Sequence, residues 1–236
     1  MFQQVKPLHP EHHAGLKLKQ LPSFDFCAKV HAVPIVGPEF REAAHEFVIA
    51  FARSSEGVYN AMAALGLRQE ENLFVDANGA WDGRYAPFFI RRYPFLTAEV
   101  GDGDAIVCID EAALPHLQGD DGIAMFQNGE PTEDTRKLAE TLFRMRNDAN
   151  RDQEWIKMLA DADLFKPVSA SADLPSGEKV SMDGMWVVDE EKLRELPAEK
   201  LGEWARSGIL PLVYAHLLSL GNLSNLAHRL EKRTAN

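Results

Sequence analysis

The period of the hydrophobic positions along this chain changes near residue 132. Before that point apolar residues come in short runs or alternate, as strands require; after it they recur every three to four residues, as helices require. Gly15 to Lys19 alternates with a period of two and predicts an exposed strand. Phe24 to Val36 is rich in aromatic and β-branched residues, but Pro34 keeps it out of a sheet interior. Gly37-Pro38-Glu39-Phe40 opens a short helix through Ala44, with Pro38 suited to its first turn. Glu46 to Ala52 reads as a strand. Val58 to Leu67 reads as a buried segment whose alanines and methionine leave helix and strand both open.

Three apolar runs end in polar-glycine turns. Leu73 to Val75 precedes Asp76-Ala77-Asn78-Gly79 and then Trp81, Ala124 to Phe126 precedes Asn128-Gly129, and Val180 to Met182 precedes Asp183-Gly184 and then Trp186. Such pairs supply the positive φ angles that tight hairpins need, so a meandering, largely antiparallel sheet is expected. Asp104 to Ile109 reads as a buried strand and Gly119 to Gly122 as a turn. Thr132 then caps a helix whose first turn holds Glu133 and Asp134, with Leu138, Leu142 and Met145 on one face. Asn147 to Asn150 predicts a break, after which a second helix carries Trp155, Leu159 and Ala162. Pro167 to Gly177 reads as a loop. Pro197 opens a helix that Gly208 closes; Ile209 to Leu220 follows as an apolar stripe, and a last helix carries Leu223, Leu226 and Leu230 beyond Gly221-Asn222. The expected architecture is α+β, a mixed or antiparallel sheet in the N-terminal part with helices segregated toward the C-terminus, in a single domain over residues 1–236.

Composition narrows the function classes. With 45% hydrophobic and 26% charged residues the chain can bury a continuous core. A net charge of −11 is unsuited to a nucleic-acid backbone, so no nucleic-acid partner is expected. Cys27 and Cys108 form no CxxC pair and read as reduced, buried thiols. No secretory signal opens the sequence, and the apolar stretch Ile209 to Leu220 is shorter than the roughly 20 residues a membrane span needs, so a soluble cytoplasmic protein with no membrane span is expected.

Familiar catalytic signatures fail one by one. There is no GxSxG elbow and no phosphate-binding glycine loop, and Ile49 stands where an HExxH helix starting at His45-Glu46 would need its second histidine. Gly101-Asp102-Gly103 lacks the third glycine of a dinucleotide loop, with Ile106 in its place, and the glycine of Asp76-Ala77-Asn78-Gly79 comes too early for a calcium loop. His9-Pro10-Glu11-His12-His13 has the residue types of a metal site, but no distant histidine motif completes it. No metal and no cofactor are expected. His216 lies alone on the apolar stripe and reads as a hydrogen-bonded core residue, with a ligand-binding or catalytic role as the alternative. Asp189-Glu190-Glu191 reads as the charged start of a short helix.

One stretch stands apart. Tyr85-Ala86-Pro87-Phe88-Phe89-Ile90-Arg91-Arg92-Tyr93-Pro94-Phe95 places five aromatic rings around paired arginines in an acidic chain. On one reading the inner arginine is locked by a carboxylate such as Asp76, Asp110 or Glu111, and the stretch is a structural hub. On the other, Arg91 or Arg92 forks the acidic group of a ligand beside Tyr85, Phe89 or Tyr93. The candidate ligand-binding residues are therefore Tyr85, Phe89, Arg91, Arg92, Tyr93 and His216, for a small-molecule or protein partner.

Asn72-Leu73-Phe74-Val75-Asp76, Gly79-x-Trp81 and Tyr85-x-Pro87-x-x-Ile90-Arg91-Arg92-Tyr93-Pro94-Phe95 together resemble the bacterial SapC family. So do Glu39-Phe40 with Ala43-Ala44, Trp186-Val187-Val188-Asp189-Glu190, and Gly208-Ile209-Leu210 with Tyr214-Ala215-His216-Leu217 and Ser219-Leu220. The resemblance implies a link to bacterial surface-layer biology or to carbohydrate uptake, since relatives are often encoded beside outer-membrane receptors and halogenase-like flavoproteins. It carries over no catalytic residues. An accessory or binding protein is the leading expectation. The alternatives are an enzyme, metal-dependent in one version, acting on an amino acid, peptide or carbohydrate, and a structural surface-layer component.

Overall fold

The computed structural model describes residues 1–101, 103–173 and 179–234. In chain order its principal strands are β1 (Val5–Pro7), β2 (Ala32–Pro34), β3 (Val48–Arg53), β4 (Tyr59–Ala64), β5 (Phe95–Val100), β6 (Asp104–Asp110), β7 (Phe165–Asp173) and β8 (Lys179–Val188). The helices used below are α1 (Phe88–Arg91), α2 (Glu133–Asp161), α3 (Ala198–Ser207), α4 (Ile209–Ser219) and α5 (Leu223–Thr234).

Two antiparallel sheets organise the strands. The larger runs β7-β8-β3-β4-β2 and the smaller β1-β6-β5. β2 is an edge strand, which is where Pro34 can sit without breaking a ladder. The undecided segment after Val58 is a strand, because β4 is paired on both sides, by β3 and β2, and its alternate alanines Ala61 and Ala63 are buried. The class is α+β as the sequence implied, with one strand pair, β7–β8, interposed between the helices.

Each sheet has its own apolar core. The larger includes Phe40, Phe47, Phe51, Phe74, Ile90, Trp155 and Leu159; the smaller includes Phe95, Ile109, Leu117, Met125 and Leu142. α2 serves both, with Leu142 in the smaller core and Trp155, Ile156 and Leu159 in the larger. This explains a departure from the sequence reading. The break expected at Asn147 to Asn150 does not occur, and α2 is one helix of 29 residues. Tertiary anchoring overrides the modest helix aversion of Asn and Asp. Asp148 pairs with Arg151 one turn on, and the buried Asp152 accepts from Gly37 N at 2.6 Å and Trp155 Nε1 at 2.7 Å.

The three expected polar-glycine turns have three different outcomes. Asn128-Gly129 makes a true hairpin, pairing Phe126–Gln127 with Glu130–Pro131. Asp76 to Gly79 makes a turn closed by the single bridge between Val75 and Trp81, because Asp76 spends its carboxylate on the turn's own amides, Asn78 N and Ala80 N. Asp183-Gly184 is no hairpin tip. It lies inside β8, where the two residues Asp183 and Gly184 oppose the one residue Ser169 of β7, and the positive φ of Gly184 (78°) admits the extra residue as a bulge. Correspondingly, Pro167 to Asp173 is strand rather than loop; residues 174–177 of that expected loop lie outside the described residues. Residue 102, between Gly101 and Gly103, also lies outside them.

α4 ties the C-terminal helices to the larger sheet. β8 and β3 pair only at Met185–Ala52 and Trp186–Phe51. In the same register Val188 would next face Ile49, and there the His216 ring is inserted between them. Val188 N donates to Nε2 at 3.0 Å, which leaves Nδ1 carrying the proton donated to Ile49 O at 2.7 Å. Ser219 completes the seam by accepting from Ile49 N at 2.9 Å. The α-helix breaks at Gly221-Asn222 as expected, and a turn of 3₁₀ helix over Leu220–Asn222 links α4 to α5. Ile209–Thr234 thus forms a run of 26 residues that is long and apolar enough, by length and composition, to cross a membrane. In this fold one face of that run, with Val213, His216, Leu226 and Leu230, is buried against the larger core.

Two outcomes follow. A Cβ on Gly37 would meet Asp152 Oδ1 at 2.7 Å, and that carboxylate is pinned from two sides. Gly37→Ala is expected to cost about 1–3 kcal/mol, measured by chemical denaturation. Burial lowers the His216 pKa from 6.5 to about 4. The unfolded chain therefore takes up a proton at this position that the folded chain refuses, and stability falls as pH drops from 6.5 toward 4, by an amount on the order of 3 kcal/mol. Replacing His216 with Gln should flatten that part of a melting-temperature profile against pH.

Candidate functional site

The aromatic stretch is held by two carboxylates from the short helical segment around residues 37–46. Glu39 is buried, and its Oε1 accepts from Tyr85 Oη at 2.5 Å and from Phe88 N at 2.6 Å. Glu46 accepts from Arg84 N and Tyr85 N, both through Oε2, at 2.8 and 2.9 Å. Trp81 Nε1 donates to Tyr85 O at 2.9 Å, closing the segment against the preceding turn. Pro87 is the N-cap of α1, and beyond Ile90, buried in the larger core, the chain enters β5 at Phe95, buried in the smaller one. The stretch therefore crosses from one core to the other.

Five of the six sequence-derived candidates gather here. Tyr85, Phe89, Arg92 and Tyr93 are part-buried and Arg91 is exposed. Arg91 folds back on its own segment: Nε donates to Ala86 O at 2.7 Å, a terminal nitrogen approaches Tyr85 Oη at 3.3 Å, and the guanidinium lies 5.3 Å from the Tyr85 ring centre. The Tyr85 hydroxyl is pushed up to about 12, by burial first and then by its hydrogen bond to Glu39 and that carboxylate's charge. It stays protonated and donates.

Arg92 is different. Its guanidinium lies 4.4 Å from the Phe89 ring centre and 5.6 Å from that of Phe2. Its Nε is buried without a hydrogen-bond partner, and among the described residues it has no carboxylate at ion-pair distance. Burial pulls its pKa down. The structural partners expected for the arginine pair are otherwise engaged. Asp76 holds its own turn, and Glu111 lies 3.5 Å from His13 Nε2. Asp110 accepts from Gln3 N, Gln4 N and Ala112 N and from Tyr93 Oη at 3.2 Å. Burial alone would raise the Asp110 pKa, but these donors together hold it below the usual range. Tyr93 is pushed up to about 12, by burial and then by the Asp110 charge. Its ring stacks on Phe26 at 4.1 Å and approaches Phe2 at 5.4 Å.

The sixth candidate, His216, stands elsewhere, fully buried in the seam between β3 and β8 with both ring nitrogens committed to backbone. The histidine-rich N-terminus forms one helical turn, Pro10–His13, in which His13 is buried and its Nδ1 meets the backbone of His9. Among the described residues no three His, Cys, Asp or Glu side chains converge as a metal site would require. Both cysteines are buried free thiols, and burial pushes Cys27 up to about 12.

Sequence reasoning missed Phe2, Phe26, Glu39 and Glu46 as members of this site. Glu39 was visible as a motif residue, but nothing in local spacing showed that a carboxylate 46 residues upstream would take the Tyr85 hydroxyl. Two clefts lie outside the aromatic face. One of about 330 Å³ lies between β2, β3, β4 and α2; another of about 830 Å³ lies between the Asp76–Arg84 turn and α5.

No curated protein and no solved structure matches this chain. The SapC family model matches residues 8–226, a span that takes in Glu39, the whole of Tyr85 to Phe95 and the His216 seam. The chain belongs to the SapC family.

Proposed function

We propose that this SapC-family chain is a binding module, accessory to the activity of another protein, that receives a carboxylate-bearing ligand on Arg92. The observation that carries the reading is the state of that side chain. A desolvated guanidinium is costly unless an anion meets it, and Arg92 is backed by the Phe89 ring with no acidic partner of its own among the described residues. A planar fork of donors beside Phe2, Phe89 and Tyr93 suits a carboxylate attached to a ring or to another apolar group. Arg91, bonded within its segment, shapes the rim. Free, buried Cys27 and Cys108 accord with a reducing compartment such as the cytoplasm.

The test separates ligand binding from folding. Arg92→Met keeps the apolar stem and removes the unpaired charge, so its melting temperature should equal or exceed that of the parent. The parent should be stabilised by at least one member of a panel comprising benzoate, indole-3-acetate, glucuronate and a short peptide with a free C-terminus. The variant should show no shift with that compound. A variant that melts well below the parent, with no panel member shifting either protein, would make Arg92 a structural residue and end this reading.

A further inference from the structure

The larger cleft has a separate chemistry, and we infer that it is a binding site for a small phosphate ester. One wall is a single stripe of α5, in which Asn225, His228, Arg229, Lys232 and Arg233 follow helical spacing beside the face of the buried Leu226 and Leu230. The other wall is the turn carrying Asp76, Asp82 and Arg84, with His45 and Glu46 beside it.

The charges in the cleft are unevenly spent. Every carboxylate there is engaged. Asp76 caps its turn, Glu46 takes the amides of Arg84 and Tyr85, and Asp82 pairs with Arg229 at 2.7 Å. Arg229 also stacks over Phe74 at 4.2 Å and lies 4.0 Å from Glu46, so it belongs to the floor. The remaining cations have no acidic partner among the described residues. Arg233 donates to the backbone carbonyls of Asn72 and Val75, while the Arg84 and Lys232 side chains are exposed and unpaired. The dipole of α5 accounts for Lys232 and Arg233, which sit in its last turn. It does not account for Arg84, which comes from the facing wall with its backbone fixed by Glu46. Three cations without an ion-pair partner among the described residues thus border one cleft, whose lining holds four cations against three carboxylates in a chain whose net charge is −11.

A phosphate carries more charge and more acceptor oxygens than a carboxylate and can be approached from several sides at once, which suits cations drawn from two walls. A volume of about 830 Å³ is also far more than a bare ion needs, and Asn225, His45 and His228 add polar groups for the rest of an ester. Glu46 borders both sites, but none of the side chains around Arg92 (Phe2, Phe89 and Tyr93) lines this cleft, so the assignment is tested separately from that reading.

Calorimetric titration of the full chain with glucose 6-phosphate, with glucose and inorganic phosphate as comparisons, tests the assignment. The ester should bind saturably, more tightly than inorganic phosphate, and more weakly as salt rises. Arg84→Glu and Lys232→Glu, both at exposed positions, should each weaken binding at least tenfold while leaving the melting temperature near the parent value. Arg92→Met should leave it unchanged. No saturable binding of the ester, equal affinity for inorganic phosphate, or undiminished binding by both charge reversals would each overturn the proposal.

Discussion

The buried carboxylate of Glu39 is the contact on which the arrangement of this protein's aromatic segment rests. A carboxyl group taken out of water must be met by hydrogen-bond partners, and here they are the Tyr85 hydroxyl and the Phe88 amide. Satisfying one acceptor thereby positions a turn, the start of α1 and the first aromatic ring of the face. Glu46 does the same for the preceding two amides. Both carboxylates come from the loop and helix that lead into β3, so the segment is held by the larger sheet while its far end enters the smaller one.

That allocation leaves the arginines in an unusual position. The acidic residues nearest in the fold are consumed by amides and tyrosine hydroxyls, Glu39 by Tyr85 and Asp110 by Tyr93. Each tyrosine acts as a donor held firmly in its protonated form. Arg91 turns back onto its own segment, and Arg92 is left with aromatic faces for company. Carboxylates and tyrosines hold the segment through these bonds, Arg91 adds a bond to Ala86 O, and Arg92 rests against the Phe89 ring.

The two cores are coupled by only a few elements. α2 spans both, and the aromatic stretch passes between them. Within the larger sheet His216 joins two strands, standing in for a ladder bond between β8 and β3 where direct pairing stops. A neutral imidazole suits this because it offers one donor and one acceptor in nearly opposite directions, matching the amide and carbonyl it replaces.

Local pattern sufficed for what depends on neighbours in the chain. It located β3, β6, the hairpin at Asn128-Gly129, the Thr132 and Gly208 caps, the helices from Pro197 onward and the family-bearing segment Tyr85 to Phe95, because period, capping and turn chemistry act over a few residues. It failed where distant contacts outweigh propensity. Asn147 to Asn150 continue a helix because two cores grip it at both ends, and Asp183-Gly184 bulges a strand because β7 pairs with β8 both before and after it. The site divides the same way. Its rings and arginines were legible as a cluster, but which carboxylate meets which donor was decided by residues 46 or 106 positions apart. Only the folded chain could show that Glu39 and Asp110 are spent on tyrosines and amides, and that Arg92 remains unpaired.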